Sequence, residues 1–254
     1  MNKKIIRLCL LTLTLIINVM QASSSPPRIP ILHHLVISGA SNLIPDFLPN
    51  SLGVDCKDYN GFTALHTAAR HNKADCLIKL LECKATIDCL DNNLATPLHH
   101  AAAKGNISCL EILIKNGASV NAAAIDNSTP LHAAARHEKT ACVVMLIRYG
   151  AFINCIDQYL TTPLHHAAAQ GNAECLEILI NNGASLDVTT IDNVTPLHAA
   201  AINGNSKCVK LLIQAGASPL LLTKNGETAQ ALARRKGFKK IADFLCMKHK
   251  YNTI

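Results

Sequence analysis

The feature that most constrains this chain is a 33-residue period that runs through most of its length. A leucine followed by a histidine recurs at this spacing, at Leu32, Leu65, Leu98, Leu131, Leu164 and Leu197. A seventh unit lacks the pair but keeps the frame, because Thr228 takes the place of Thr195 one period later. A fixed period of about 20 to 50 residues is typical of proteins built from stacked structural repeats.

Each repeat carries the signals of two short helices. The best-preserved units begin "TPLHHAAAKG", "TPLHHAAAQG" and "TPLHAAAING". Thr is a favourable N-cap, and Pro suits the first helical turn because its missing N–H is not needed there. An apolar stretch such as "CLEILI" follows with helical spacing. A Gly then stands where a left-handed residue can end the second helix, at Gly117, Gly150, Gly183 and Gly216.

Composition favours many thin layers over one thick core. Hydrophobic residues make up 49% of the 254 residues, but aromatic residues only 4%, and Trp is absent. Two or three Ala residues in each first helix allow neighbouring first helices to approach closely. One such helix pair cannot bury its apolar face alone, whereas a stack can. We therefore predict an all-α fold, a solenoid of stacked helix pairs.

These motifs resemble the ankyrin repeat family. The resemblance rests on "TPLH" followed by Ala, a Leu-rich second helix and a final "GA" at the 33-residue period, and it covers about residues 30 to 247. It implies an ankyrin repeat solenoid, in which helix-turn-helix pairs carry protruding β-turn loops. It also implies a protein–protein interaction module.

The chain divides into four segments on this frame. Residues 1–24 are a predicted signal peptide, residues 25–57 an irregular N-terminal capping repeat, residues 58–223 five ankyrin repeats, and residues 224–254 a C-terminal capping repeat with a basic tail. The last segment replaces the motif Leu-His by Gln-Ala and adds charge. Such a change suits a polar cap on an otherwise apolar end.

The first 24 residues are typical of a secretory signal. A basic start precedes the apolar run "LCLLTLTLII", and Ala22 and Ser24 suit cleavage after Ser24. The run is shorter than the ~20 residues that span a bilayer, so an uncleaved anchor is the alternative. Cleavage leaves no predicted membrane span. The short Lys-rich form indicates a bacterial exported protein, either secreted or periplasmic.

Two near-copies in the sequence indicate that a pair of repeats was duplicated as one unit. Residues 90–155 and 156–221 align without gaps, and most of their helix positions are identical. Positions related by this duplication are therefore equivalent. His100 and His166, for example, both follow the motif His. We interpret the duplication as the lengthening of a binding surface.

Cysteine recurs with the same period. Five cysteines lie eleven residues after the motif Leu, where we expect small buried side chains: Cys76, Cys109, Cys142, Cys175 and Cys208. Packed helices lie ~10 Å apart, whereas a disulfide needs Cα atoms within ~7 Å, so bridges along this column are not predicted. Four others are expected to be exposed and oxidisable, namely Cys56, Cys89 and Cys155 in loops and Cys83 near a helix end. A bridge between Cys83 and Cys89 is an alternative.

Histidine recurs once per repeat, from His33 to His198. The resemblance implies that each bonds to the Thr before the helix and to loop backbone. Zinc needs ligands that converge on one point, and these are spread along the stack, so no metal site is predicted. The sequence contains no glycine-rich phosphate loop, HExxH pair or GxSxG elbow. We therefore predict no enzymatic activity and no cofactor.

Four loop residues depart from the family pattern. Leu94 and Leu160 stand where other units have Gly or Asn, and we expect altered turns there. Lys84 and Glu138 occupy positions that are Gly in other units. A left-handed backbone at Lys84 costs about 1 kcal/mol.

The resemblance places partner binding on a concave face formed by the turn tips and the ends of the first helices. The tips carry Tyr59, Asn60, Phe62, Asn92, Asn93, Asp126, Gln158, Tyr159 and Asp192. The first-helix ends carry Arg70, His71, Lys104, Arg136, His137, Gln170 and Asn203. Tyr, Phe and Arg are frequent interface anchors, and the basic helix ends indicate an acidic partner surface.

Charge argues against nucleic acid as the partner. The formal net charge is +7, but residues 224–254 hold eight Lys or Arg and two acids, and residues 25–223 come to −2. This body has no continuous basic stripe. The run "RRKGFKK" in the tail could bind an anionic surface or direct nuclear import, although a solvated cap is the preferred interpretation.

The predicted function is that of a monomeric, exported protein that binds an unidentified partner protein through its concave face. The first biological interpretation is a secreted, host-directed effector. The alternative is a periplasmic scaffold or protector of another exported protein. An enzyme or metal-binding protein that uses the Cys and His columns is the third and least supported interpretation.

Overall fold

The computed structural model describes residues 31–48 and 53–251. In these ranges the chain forms fourteen α-helices and no strand, as the all-α prediction requires. The predicted signal peptide, residues 1–24, lies outside the described residues. Across the part that is described, no helix is both long and apolar enough to cross a membrane.

Helices follow in pairs, one pair for each repeat. The first unit is irregular and consists of α1 (Ile31–Ser38), a short 3-10 turn (Ser41–Leu43) and α2 (Ile44–Phe47). The pairs that follow are α3 (Ala64–Arg70) and α4 (Ala74–Glu82), α5 (Pro97–Lys104) and α6 (Ile107–Lys115), α7 (Pro130–Arg136) and α8 (Thr140–Arg148), α9 (Pro163–Gln170) and α10 (Ala173–Asn181), α11 (Pro196–Ile202) and α12 (Ser206–Ala215), and α13 (Ala229–Arg235) and α14 (Lys239–Tyr251).

The core is a thin layer that runs the length of the stack. First helices pack on first helices from α1 to α13, and second helices on second helices from α2 to α12. Ala residues such as Ala101 and Ala102 are fully buried between first helices, where their small size permits close approach. The cysteine column that starts at Cys76 and ends at Cys208 is fully buried, as predicted.

Each first helix begins at a Thr that shares a hydrogen-bond network with the motif His. In the second repeat pair the backbone N–H of Thr96 donates to Nδ1 of His99 at 3.1 Å. Because Nδ1 accepts this bond, the neutral ring carries its proton on Nε2. That nitrogen donates to the Ser128 carbonyl of the next repeat at 3.1 Å. The role that the resemblance implied for this His is therefore confirmed.

The same network recurs along the stack. Nε2 of His66, His132 and His165 also donates to a carbonyl 29 residues later, at distances of 2.9–3.0 Å. Every such bond joins one repeat to the next. The recurrence of the histidine every 33 residues therefore gives each pair of neighbouring repeats the same hydrogen bond.

The cysteines expected to be exposed in loops are not exposed. Cys89 is buried, with Sγ 3.1 Å from Oγ1 of Thr63 and 3.5 Å from Nδ1 of His66. Cys155 is half-buried against the equivalent Thr and His, and Cys56 is also half-buried. The expectation failed because the loop after a second helix folds back over the N-terminus of a first helix. All ten cysteines within the described residues are free, so no Cys83–Cys89 bridge is present there.

The expected alteration of the turns at Leu94 and Leu160 is wrong. These residues adopt φ values of 56° and 58°, close to the 59° of Asn127 in the same position of another unit. The N–H of Leu94 donates to the Asp91 carbonyl at 3.0 Å, and Leu160 makes the equivalent bond at 3.0 Å. Both side chains are exposed and meet no obstacle. The turn is kept because backbone hydrogen bonds to the neighbouring turns hold it. Leucine therefore adopts a left-handed backbone in spite of its steric cost.

Lys84 and Glu138 adopt the left-handed backbone that their positions predicted, with φ values of 66° and 58°. Replacing Lys84 by Gly should therefore stabilise the protein by about 0.5–1 kcal/mol, since Gly has no Cβ to clash in this region. Urea unfolding measures the change. The control is Lys210→Gly inside α12, which should destabilise by about 1 kcal/mol. A loss of stability in Lys84→Gly would contradict the strain argument.

The histidine network makes stability dependent on pH. Burial lowers the pKa of His66, His99 and His165 to about 4, from an unfolded value near 6.5. Below about pH 6.5 the unfolded chain therefore binds more protons than the folded chain. Stability should be fully present above that pH and fall as the pH approaches 4, by about 1.4 kcal/mol per pH unit for each of these histidines.

Urea unfolding between about pH 7 and pH 5 tests this dependence. The matched variant is His99→Gln, which removes one titrating group and should reduce the slope by one histidine's share. A free energy of unfolding that stays constant over this range would show that the buried rings are not held neutral.

Candidate interaction surface

The turn tips form one continuous row because a backbone hydrogen bond joins each tip to the next. The N–H of Asn92 donates to the Asn60 carbonyl at 3.1 Å, and Ile125 donates to Asn93 at 2.8 Å. The same bond follows from Gln158 to Asp126, from Ile191 to Tyr159 and from Lys224 to Asp192. The tips are therefore fixed relative to one another. We name the tips together with the ends of the first helices the tip face.

Most of the predicted tip residues lie in the open. Exposed side chains on the row are Tyr59, Asn60, Asn92, Asn93, Gln158, Tyr159 and Asp192. Phe62 is half-buried. Asp126 is also half-buried, because its carboxylate accepts from the N–H and the hydroxyl of Ser128 at 3.0 and 2.5 Å. The structure therefore makes Asp126 a turn-stabilising residue as well as a surface residue.

Two apolar tip residues were missed by sequence analysis. Ile125 is 64% exposed and Ile191 is 51% exposed, comparable with Tyr159 at 53% and Tyr59 at 75%. Each precedes an Asp in a polar turn, where an apolar side chain has no core to enter. An apolar residue next to Asp in a polar turn is therefore the sequence signal that identifies these two positions. The row therefore presents aromatic and aliphatic groups at intervals, which is characteristic of binding surfaces.

The first-helix ends are basic in the N-terminal repeats and neutral later. Arg70, Lys104 and Arg136 lie in the last turn of α3, α5 and α7. Burial and then the positive charges of Arg70, Lys73 and Lys104 lower the pKa of His71. His137 is affected in the same way, by burial and then by Arg136, Lys104 and Lys139. The potential along this part of the tip face is therefore positive.

The row of first-helix ends loses its charge in the later repeats. Gln170 and Asn203 occupy the ends of α9 and α11, and both are exposed. The amide of Asn203 donates to the Ala199 carbonyl at 2.9 Å, so this residue also caps its own helix.

An aromatic cluster occupies the N-terminal part of the tip face. The Phe62 ring stacks on His66 with centroids 5.7 Å apart and meets the edge of His100 at 4.8 Å. The Arg70 guanidinium carbon lies 5.7 Å from the centre of the Phe62 ring, a cation–π contact. Phe62 and Arg70 line a depression of about 380 Å³ together with the tip residues Asn60, Asn92 and Asn93.

Beneath this cluster, His100 holds Asp91. Nε2 of His100 lies 2.9 Å from Oδ2 of Asp91. Burial, together with the positive charges of Arg70 and Lys104, lowers the pKa of His100 although Asp91 acts to raise it, so the ring is neutral at pH 7 and donates this bond. Burial alone would raise the pKa of Asp91, but the bonds from His100 and from the N–H groups of Ala95 and Asn93 hold it below its usual value. Asp91 is therefore an ionised, fully bonded carboxylate.

The equivalent cluster two repeats later is arranged differently. Ser128 replaces Phe62, and the Nη2 atom of Arg136 donates to Nε2 of His166 at 3.3 Å. Oδ2 of Asp157 lies 3.9 Å from Arg136 and 4.0 Å from His166. Burial and then Arg136 lower the pKa of His166 to about 3. Arg136 therefore turns inward to the next repeat.

The buried Cys–His pairs lack the chemistry of a nucleophile. Burial raises the pKa of Cys89 to about 11 and lowers that of His66 to about 4. A catalytic thiolate needs a lowered thiol pKa and a basic partner. Nδ1 of His66 also accepts the N–H of Thr63. Within residues 31–48 and 53–251, no group of three or more His, Cys, Asp and Glu could hold a metal ion.

Comparison with known proteins gives the same architecture. The family profile described as ankyrin repeats (3 copies) matches residues 32–124, 121–192 and 185–254. The crystal structure of the human ASB11 ankyrin repeat domain is similar to this chain, with a TM-score of 0.76 and 27% sequence identity. The match covers 87% of this chain and 98% of that domain. No curated protein matches the sequence.

Proposed function

The chain belongs to the ankyrin repeat family, and from this premise we propose that it is an exported protein that binds another protein through the tip face. Ankyrin repeats are a protein–protein interaction module. The observation that carries the proposal is the row of exposed apolar tips, Tyr59, Ile125, Tyr159 and Ile191, in a backbone held rigid by hydrogen bonds.

The shape of this surface suits a macromolecule better than a small ligand. Small-molecule sites are enclosed clefts that bury most of their ligand. The tip face is instead an open row that extends across successive repeats, and the depression at Phe62 and Arg70 is lined mainly by short polar side chains. Rigid aromatic anchors in such a row lose little entropy on binding.

Charge supports an acidic partner surface. The basic helix ends at Arg70, Lys104 and Arg136 lie beside the apolar tips in the N-terminal repeats. Complementary charge steers association and selects among partners more than it adds affinity. No catalytic step is part of this proposal.

Site-specific crosslinking tests the location of binding. A photoreactive phenylalanine in place of Tyr159, on the tip face, should capture a discrete partner from extracts of the producing organism or of a host cell. The matched control is Tyr149, an exposed tyrosine at the end of α8. Equal capture from both positions, or capture from Tyr149 alone, would overturn the assignment of the tip face.

The export part of the proposal rests on residues 1–24. Their basic start, apolar run and small residues before Ser25 are typical of a cleaved signal. Burial of the cysteine column supports it too, because a fully buried thiol cannot pair in an oxidising compartment while the chain stays folded. We propose secretion, and a role directed at a host cell.

Fractionation and intact mass test the export proposal. A chain that starts at Ser25, is found outside the cell envelope and carries free thiols on alkylation is the expected result. A processed chain retained in the periplasm would contradict secretion and favour a scaffold or protector of other exported proteins. An unprocessed chain would overturn the signal peptide and leave an anchor.

A further inference from the structure

We propose that the depression at Phe62 and Arg70 binds a carboxylate side chain in an acidic, extended segment of the partner, and that the equivalent place two repeats later, at Arg136, does not. The inference rests on the proposed function, since it names the chemistry that one part of the tip face recognises. It depends on a comparison within the chain, because positions 66 residues apart are equivalent in the 33-residue frame.

The two places share their scaffold and differ in a few side chains. Arg70, Asp91 and His100 have the same residue types at Arg136, Asp157 and His166. The differences lie around them: Phe62 corresponds to Ser128, Asn60 to Asp126, and Lys104 to Gln170. These three changes make the first place more positive or more aromatic than the second, whereas Asp58, which corresponds to Ala124, gives the first place a turn carboxylate of its own.

At the second place the arginine already has carboxylate partners. Oδ2 of Asp157 lies 3.9 Å from Arg136, and Nη2 of Arg136 donates to His166. Asp126 stands where the first place has Asn60. Burial by itself raises the pKa of Asp126, but bonds from Ser128 and the charge of Arg136 hold it below its usual value. Asp157 also accepts from the N–H groups of Tyr159 and Thr161. Both places therefore hold two hydrogen-bonded acids, and what differs is the arginine, which at the second place already contacts Asp157 and His166.

At the first place the carboxylates are occupied by other donors. Asp91 accepts from His100 and from two backbone N–H groups of its own turn. Asp58, in the preceding turn, accepts from the N–H groups of Asn60 and Phe62 at 2.8 and 2.9 Å. Every Asp and Glu of the chain lies within the described residues. Within residues 31–48 and 53–251, no Asp or Glu carboxylate lies within ion-pair distance of Arg70.

Phe62 holds the Arg70 guanidinium without using its N–H groups. The cation–π contact uses none of the guanidinium N–H groups, and within the described residues the Arg70 side chain makes no hydrogen bond, so these donors are free to bind. Guanidinium edges and carboxylates match in geometry and form paired hydrogen bonds. Lys104, exposed at the end of the next first helix, adds a second positive charge. The depression is therefore a place for a carboxylate.

The occupant is an extended acidic segment because the depression opens along the row of tips. It is lined by tip residues of two successive repeats, Asn60 of one and Asn92 and Asn93 of the next. A partner segment whose carboxylate lies over the depression also meets the row of tips, where Tyr59 is exposed. Phosphate recognition usually uses clusters of arginines, and this place has one arginine and one lysine.

A peptide-binding measurement with four proteins tests this. The probe is a fluorescently labelled, end-capped peptide of six glutamates, and its anisotropy is measured against the full chain, Arg70→Ala, Arg136→Ala and Asn60→Asp. The full chain should bind the probe, with an affinity that falls as salt rises. Arg70→Ala should weaken binding by about tenfold, the loss expected for a charged hydrogen-bonded pair, and Arg136→Ala should leave it unchanged.

The Asn60→Asp variant shows whether a loss of binding comes from the local charge or from loss of the folded structure. It keeps Arg70 in place and supplies the resident acid of the second place, so it should weaken binding while thermal unfolding stays that of the full chain. Equal losses in Arg70→Ala and Arg136→Ala, or no loss in Arg70→Ala, would overturn the inference. So would binding of a six-glutamine peptide with the same affinity, or of a phosphoserine peptide in place of the glutamate peptide.

Failure here is separable from failure of the proposed function. If the glutamate peptide does not bind while the photoreactive group at Tyr159 still captures a partner, then the tip face binds protein and the carboxylate site is wrong. If Tyr159 captures no partner and the peptide still binds at Arg70, then the carboxylate site is real and the assignment of the wider face is wrong.

Discussion

The hydrogen bond from each motif histidine to the next repeat is the constraint on which the rest of this structure depends. A single helix pair has no core of its own, so its stability comes from its neighbours. His99 accepts the N–H of Thr96 and donates to Ser128 of the following repeat, which joins the start of one helix to the loop of the next unit. Since the ring must stay neutral to do both, burial and hydrogen bonding reinforce each other. The regular spacing of the tips is a consequence.

A rigid scaffold allows neighbouring surfaces to diverge in chemistry without a change of fold. The two places that contain Arg70 and Arg136 have the same turn hydrogen bonds and different neighbours around the arginine. At one place the guanidinium lies near the Phe62 ring, and at the other, where Ser128 replaces Phe62, it turns inward to a histidine. A few side-chain differences therefore change the chemistry of the surface from repeat to repeat.

The same burial that stabilises the stack removes the reactivity of its polar residues. Cysteine and histidine are abundant and often adjacent, as at Cys89 and His66, yet burial moves both pKa values away from those of a catalytic pair. What remains accessible are the tips and the helix ends, where apolar groups and positive charges alternate. Interaction with another protein is the function that such a surface supports.

Sequence by itself determined the repeat, the Thr caps, the left-handed glycines and the buried cysteine column, because each depends on local periodicity that a single unit already contains. Tertiary structure alone decided the rest. Leu94 keeps its turn because neighbouring tips hold it, and Cys89 is buried because a loop folds back. Ile125 is exposed because its turn projects from the stack, and Arg136 contacts a carboxylate because Asp157 reaches it from the next repeat. These outcomes depend on contacts between units, which the pattern of one unit does not encode.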